Sequence, residues 1–594
     1  MASPAVSDRD LGLIPLLLGV TGHRDLRPED LEPLRRAVRQ VVAEFRTAYP
    51  HTPLVLLTPL AEGADQLVAE VVLAEGGRIV VPLPMPLALY ETDFQEPEAR
   101  QRFYDLLAQA ESSFELPLPA GVTAEAVAAY GPPRNDLYLQ VGRFIAEHCQ
   151  VLIALWDGVN TQKTGGTWEI VSWRVNEVAR GAANSLHPPD PVRCGPVFHI
   201  VTPRQSAPPP EKPYTSRCIF PEVPEHERSA DQSYVQMLQS VDRFNAMASQ
   251  LTEPLHAQMR ASANYLLPDA ETTLLPRALQ AMRQRFAAAD ALAVHCQRWT
   301  WNSLTMVIGL VLAAVVAYEI TSQLLHREAW GLLVYPSLLG VTYVYYLWFR
   351  HHDFQNKYQD YRALAEGLRI QFFWKLAGLG ESVEQSYLRE QRTELDWIRS
   401  GIRTAWTLAG GAMTAPAAAV SSAQRLEWVK RYWVEDQNRY FARAAHREER
   451  RHHFLERVAT VLLSFGLGLA VVLGLLLVLP IGPGPAIHQW FMKHDTVKSV
   501  FFLATGLPLA AAAAIHTYGE VRAMEAHARQ YRAMGWMYAN ALKRLEELQQ
   551  SSSSQDEHAE AFRLLTELGR EALLENGDWV LLHRARPVSV PHGR

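Results

Sequence analysis

The chain has 594 residues, 48% of them hydrophobic and 20% charged, which excludes wholesale disorder and leaves room for several domains. A formal charge of -6 gives no electrostatic footprint for a nucleic-acid binder. The 4 cysteines are scattered with no CxxC pair, which excludes a disulfide framework or zinc site and suits a reducing compartment.

The N-terminus has no basic segment ahead of its short apolar run LGLIPLLLGV, so that run reads as a buried strand rather than a signal peptide. From there to residue 204, apolar strands alternate with amphipathic helices, the pattern of a parallel α/β sheet. Strands are predicted at 14–19, 54–58, 78–83, 151–156 and 197–202, and helices at 28–48, 63–75, 95–110, 135–148 and 166–180. A ligand in such a sheet sits beyond the carboxyl ends of the strands, where loops open into helix N-termini.

Three loops carry suitable chemistry. The first holds Gly19, Thr21, Gly22, His23 and Arg24: the glycines permit close backbone approach, and His23 and Arg24 are suited to a phosphate. The second holds Glu62, Gly63 and Asp65 at the start of a helix; Asp65 is a ligand contact or a helix cap, and Glu62 an acceptor for a ribose hydroxyl or a solvated carboxylate. The third runs from Asp157 and Gly158 through Lys163 to Gly165, Gly166, Thr167 and Glu169, a turn that can cradle phosphate or simply cap a helix.

Residues 205–274 read as a Pro-rich loop, QSAPPPEKPY, and a helical connector over 230–260 that either packs on the sheet or passes its state onward. Four apolar runs follow, at about 303–321, 331–349, 458–479 and 500–515, each approaching the roughly 20 residues needed to cross a bilayer. Arginines cluster on one side of every run, from Arg283 to Arg298, Arg350 to Arg369, Arg443 to Arg457 and Arg522 to Arg532, whereas the two hairpin loops hold only Arg327, Lys493 and Lys498. The positive-inside rule therefore predicts a multi-pass inner-membrane protein with both termini cytoplasmic.

The runs form two similar halves, 275–407 and 425–594, joined by the Ala/Gly-rich 408–424; Tyr361-Arg362-Ala363 recurs as Tyr531-Arg532-Ala533 after the second run of each half. A serine run at 551–554 marks a loop before the last helix. The expected fold class is thus a Rossmann-like α/β domain over 1–204 plus an all-α membrane domain of four transmembrane helices in two repeated pairs.

Over 275–590, the span pairs, the Tyr-Arg steps, Arg431-Tyr432 with Asp436, Gln437 and Tyr440, and the terminal ENGDWVLLHRARP resemble the SLATT family of two-span bacterial effector domains. The α/β domain resembles the SLOG superfamily, which includes DNA-processing protein A and the phosphoribohydrolases. Thr58, Pro59, Ala61, Gly63, Ala64 and Asp65 follow the first member's motif, with Pro59 for a glycine and Ala69 for its histidine, so DNA binding is not expected. Gly165-Gly166-Thr167-Trp168-Glu169 is a shortened form of the phosphoribohydrolase phosphate motif.

These resemblances imply an effector gated by a nucleotide-like ligand, with no cofactor or metal, that assembles as a homo-oligomer and disrupts the bilayer in bacterial conflict or antiphage defence. The alternative is a membrane-anchored nucleotide hydrolase, with Glu169 and Asp157 as its candidate catalytic carboxylates. Alkaline phosphatase fused after Arg327 or Lys493 should be active in a bacterial host, and fused after residue 594 inactive; the reverse pattern would invert the topology.

Overall fold

The computed structural model describes residues 12–584 except 120, 161–163, 177–191, 222–229, 251, 324–330, 389–393, 412–419, 479–483 and 551–554. Lys163, the loop with Arg327, most of the Ala/Gly-rich joint, the serine run and the end of ENGDWVLLHRARP lie outside the described residues. The chain divides into two compact units. One comprises Met1–Leu292, Arg362–Leu426 and Leu565–Gly577; the other comprises Ala293–Tyr361, Glu427–Leu564 and Asp578–Arg594.

In the first unit the elements are β1 (Leu16–Gly22), α1 (Leu31–Ala48), β2 (Leu54–Leu57), α2 (Ala64–Ala74), β3 (Arg78–Leu83), α3 (Pro97–Leu107) and β4 (Ser112–Glu115). Then come α4 (Pro132–His148), β5 (Val151–Trp156), α5 (Thr167–Val175), β6 (Val197–Val201), β7 (Ser216–Ile219), α6 (Ala230–Ser249) and α7 (Glu253–Leu266). The seven strands run in the order β4-β3-β2-β1-β5-β6-β7, parallel except for the antiparallel edge strand β7. This is a Rossmann-like sheet.

Strands β2, β3 and β5 are buried almost throughout because helices cover both faces, which is why they read as unbroken apolar runs. Strands β4 and β7 escaped the sequence pattern. SSFE and SRCI are short edge strands without an apolar run, the first half-exposed and the second mostly exposed, held by backbone pairing to β3 and β6. Leu17, Val55, Val80 and Leu152 form a core with Val141 and Ile145 of α4 and Ile170 of α5. Each such side chain contributes roughly 1.5–3 kcal/mol of burial.

The amino ends of the strands need polar partners, and distant side chains supply them. Asn245 on α6 accepts from the Ile14 amide at 2.9 Å and donates to its carbonyl at 2.8 Å, extending β1 by one pseudo-residue. Arg174, fully buried, donates to the carbonyls of Ala146, Gln150 and Arg193. The predicted connector helix is two helices, α6 and α7, and α6 packs on the sheet through Tyr234, Phe244 and Asn245.

The rest of the chain is helical: α8 (Arg277–Gln323), α9 (Gly331–His352), α10 (Phe354–Ala377), α11 (Asp396–Leu408), α12 (Asp436–Val478), α13 (Gly484–Lys493), α14 (Asp495–Val521), α15 (Met524–Gln550) and α16 (Gln555–Arg584). All thirteen residues of α11 are buried in the first unit. Ser400 and Thr404 of α11 accept from Gln150 Nε2 at 3.0 and 2.9 Å, and Leu408 enters the sheet's core. Glu384, 2% exposed, faces Arg403 at 3.3 Å with Arg399 and Arg193 each at 3.7 Å, while Asp396 takes Arg399 at 3.0 Å. The segment between the predicted span pairs is thus part of the α/β unit's core.

Among the described residues, three helical stretches are long and apolar enough to cross a membrane: Arg277–Ser322, Ser422–Leu475 and Asp495–Gln550. Only 17%, 11% and 11% of their most apolar windows is buried, so these surfaces need an apolar solvent. The fourth predicted span, α9, is 22 residues long, and its apolar run is diluted by Pro336 and by Tyr335, Tyr343, Tyr345 and Tyr346.

The two stretches that carry Tyr-Arg-Ala share a conformational feature that the sequence pattern did not reveal. Helices α9 and α14 are each followed by a non-glycine residue in the left-handed region, Asp353 at φ 53° and Ala523 at φ 51°. These stand at the same distance before the shared Tyr-Arg-Ala (353 to 361 and 523 to 531). In both stretches the arginine of that motif reaches an acid on the helix that carries the first apolar run, Arg362 to Asp290 on α8 at 3.1 Å and Arg532 to Glu449 on α12 at 4.0 Å.

Glu384→Ala leaves the buried Arg399 and Arg403 guanidinium groups, and the half-exposed Arg193, short of a counter-charge and should cost roughly 3–5 kcal/mol in denaturant unfolding. Glu381→Ala removes the half-exposed partner of Arg570 and should cost about 0–1 kcal/mol.

Candidate functional site

The strand order reverses direction between β1 and β5, and in an open α/β sheet that switch point places a ligand crevice beyond the carboxyl ends of the strands. The loops after β1 and β5, two of the three singled out from the sequence, meet there; the loop after β2 packs against the first.

Glycine lets these loops touch. A Cβ at Gly22 would lie 2.4 Å from Ala64 Cβ and 2.7 Å from the Leu155 carbonyl. Gly63 has φ +85°, and a Cβ there would lie 2.4 Å from the Arg24 carbonyl. The Ala64 amide donates to the His23 carbonyl at 3.0 Å, and the His23 amide to the Leu155 carbonyl at 3.1 Å. Gly19 is small for another reason. Its Cβ position is filled by Ile145 of α4 and by Cys149, which follows that helix, so it is a packing residue within the strand. Thr21 and Gly22 are half-buried at the end of β1.

His23 Nε2 accepts the Asp157 amide at 3.0 Å, which assigns the proton of a neutral ring to Nδ1. Burial pushes the imidazole below its usual value; Asp157 opposes the shift and Arg204 reinforces it. Asp157 is 4% exposed, its Oδ2 lies 3.0 Å from Arg204 Nε, and its Oδ1 accepts the Val159 amide at 3.0 Å across the turn at Gly158 (φ +87°). Arg204, from the segment after β6, was not among the predicted residues.

The second loop ends in a buried carboxyl. Burial raises Asp65 from 3.8 to about 7, against the lowering effects of Arg24 and the Ala61 amide. Glu62 is exposed. In the third loop Glu169 turns back on its own helix: Oε2 accepts the Gly165 amide at 2.9 Å and Oε1 takes Arg143 at 3.0 Å. Gly166 is the N-cap of α5 and Thr167 its first residue. A carboxylate therefore already occupies the anion position at that helix N-terminus. Glu169 and Asp157 are both held in pairs, so either would have to leave its partners to act as a general base.

Sequence reading missed a further cluster beside Arg24. Arg134, fully buried, donates to Asp93 Oδ1 at 2.6 Å, to the Leu89 and Val127 carbonyls at 2.9 Å and to the Tyr138 hydroxyl at 2.8 Å. Tyr138 donates in turn to Asp93, and burial followed by that carboxylate pushes its hydroxyl up to about 12. Arg24 lies over the Tyr138 ring, 4.9 Å from its centroid. Among the described residues Arg24 makes no hydrogen bond or ion pair, and it is exposed at the end of β1. The sequence signal for this cluster is thin: Pro132-Pro133-Arg134 at a helix start, with Tyr138 one turn on.

The titration of Asp65 has a definite sign. The folded state holds this proton more tightly than the unfolded chain, so the group favours folding at low pH, and that contribution falls as pH rises from about 4 to about 7. Asp65→Asn cannot ionise. Its melting temperature relative to wild type should therefore rise between about pH 5 and about pH 8, and a constant difference would show that Asp65 is not a buried proton holder. Compared with protein-family models and with curated proteins, the chain matches none.

Proposed function

We propose that this protein is a membrane-embedded effector gated by a nucleotide-derived ligand that binds where β1 and β5 part. The observation that carries the reading is Arg24. A guanidinium with no ion-pair partner among the described residues is held over Tyr138 at a switch point, within electrostatic reach of Asp65 and Asp93. A phosphate there gains a charge-assisted contact without displacing an existing ion pair. The buried Asp65 carboxyl nearby suits a ribose or base hydrogen bond better than a second phosphate.

In this reading α9 is the fourth span, both termini are cytoplasmic, and the two span pairs rearrange when the α/β unit binds its signal. The burial of α11 in that unit supports such coupling, since α11 lies in the stretch of chain that joins the two pairs. The SLOG and SLATT resemblances supply the rest of the proposal: a homo-oligomeric, membrane-disrupting pore in antiphage defence. Small residues with open surroundings, such as Gly309 and Gly468, suit helix packing between subunits.

The test is thermal stabilisation of the detergent-solubilised full chain by cyclic oligonucleotides, ADP-ribose derivatives and NAD, with the ligands recovered for mass spectrometry. A stabilising ligand returned intact, and weakened about 10- to 100-fold by Arg24→Ala, is the expected result. Dye release from liposomes on adding that ligand would follow. Turnover of the ligand would instead make the protein an anchored nucleotide hydrolase, and binding unaffected by Arg24→Ala would move the site elsewhere.

A further inference from the structure

The second unit holds a groove that the gating reading does not use. It lies between α12 on one side and α14 with α15 on the other, and encloses about 620 Å³. That falls within the roughly 300–1,000 Å³ typical of small-molecule sites. Small side chains hollow it out: Ala459 of α12 faces Ala512, Ala513 and Gly519 of α14. No heavy atom lies within 4 Å of where a Gly519 Cβ would stand.

The lining is graded along its length. One end is aliphatic, with Leu463 opposite Leu509, and belongs to the apolar stretches of two candidate spans. The other end holds Glu456, Glu520, Glu525 and Arg529, with His452 3.7 Å from Glu456 and Arg529 3.9 Å from Glu525. Polar groups gather where α14 gives way to α15 at Ala523, the boundary where a headgroup would lie. The occupant must therefore be apolar at one end and charged at the other.

The signs of the charges narrow the class. Three carboxylates against one guanidinium disfavour a purely anionic headgroup. A quaternary ammonium fits poorly as well, because it offers carboxylates no N–H to donate. A primary ammonium joined to a phosphate meets both demands.

We infer that this groove binds an aminophospholipid of the phosphatidylethanolamine type. Its ammonium lies among Glu456, Glu520 and Glu525, its phosphate at Arg529, and an acyl chain runs along Leu463 and Leu509. The inference rests on membrane residence alone and is independent of what binds the α/β unit.

The full chain is reconstituted in vesicles of equal parts phosphatidylethanolamine, phosphatidylcholine and phosphatidylglycerol. It is then re-extracted in mild detergent, and the retained lipid is measured by native mass spectrometry. Retained phosphatidylethanolamine should exceed each of the others by about tenfold, the value of one charge-assisted hydrogen bond. That excess should vanish in Glu456→Gln/Glu520→Gln and in Gly519→Leu, whose side chain occupies the groove, with melting temperatures close to wild type. Equal retention of the three lipids, a preference for phosphatidylglycerol, or an excess that survives both variants would overturn the assignment. So would a change of oligomeric state in Gly519→Leu with lipid unaltered, which would give the groove to a second copy. A chain that retains no lipid of any kind would fail the membrane reading itself, whereas unselective retention would fail the groove alone.

Discussion

A parallel sheet covered on both faces leaves its strand ends as the places where unpaired backbone groups collect, and the α/β unit is organised around that constraint. At the amino ends the solution is long-range. Asn245 pairs with both backbone groups of Ile14, Gln150 reaches Ser400 and Thr404, and Arg285 donates to the Leu13 carbonyl from within α8. These bonds draw α6, α8 and α11 onto the sheet. Without them the strand ends would face buried surroundings with nothing to bond.

At the carboxyl ends the loops satisfy one another. Ala64 donates to His23, His23 to Leu155, and the Asp157 amide to the His23 ring, at distances that only glycine at positions 22 and 63 permits. The cluster of Asp93, Arg134 and Tyr138 is likewise closed on itself. Among the described residues Arg24 is the charge this arrangement leaves without an ion pair, and the proposed function rests on it rather than on the more conspicuous glycine loops. Those loops look like ligand cradles in sequence, but much of their chemistry serves loop closure: Glu169 caps its own helix, and Asp157 is shared between Arg204 and the turn at Gly158.

The candidate spans meet the same backbone constraint differently. Each candidate span satisfies its own hydrogen bonds within a continuous helix, so its side chains are free to be apolar on nearly every face. The left-handed residues Asp353 and Ala523 turn the chain at equivalent points of the two halves. They are not glycines, so no sequence signal marked these turns, although the Tyr-Arg-Ala beyond them did suggest the duplication.

By itself the sequence determined the strands and helices that follow from local periodicity. The buried strands over Arg78–Leu83 and Val151–Trp156 lie where their apolar runs predicted them, and three long apolar helices stand where hydropathy placed them. It also located the loops at the sheet's carboxyl ends, because strand–Gly–helix junctions are local features. Tertiary structure alone decided the edge strands β4 and β7, the absorption of α11 into the α/β core, and the pairing of Arg134 with Asp93 and of Asp157 with Arg204. Each of these joins segments far apart in the chain, and a period or spacing carries no information about which distant partner will satisfy a buried charge or an unpaired strand edge.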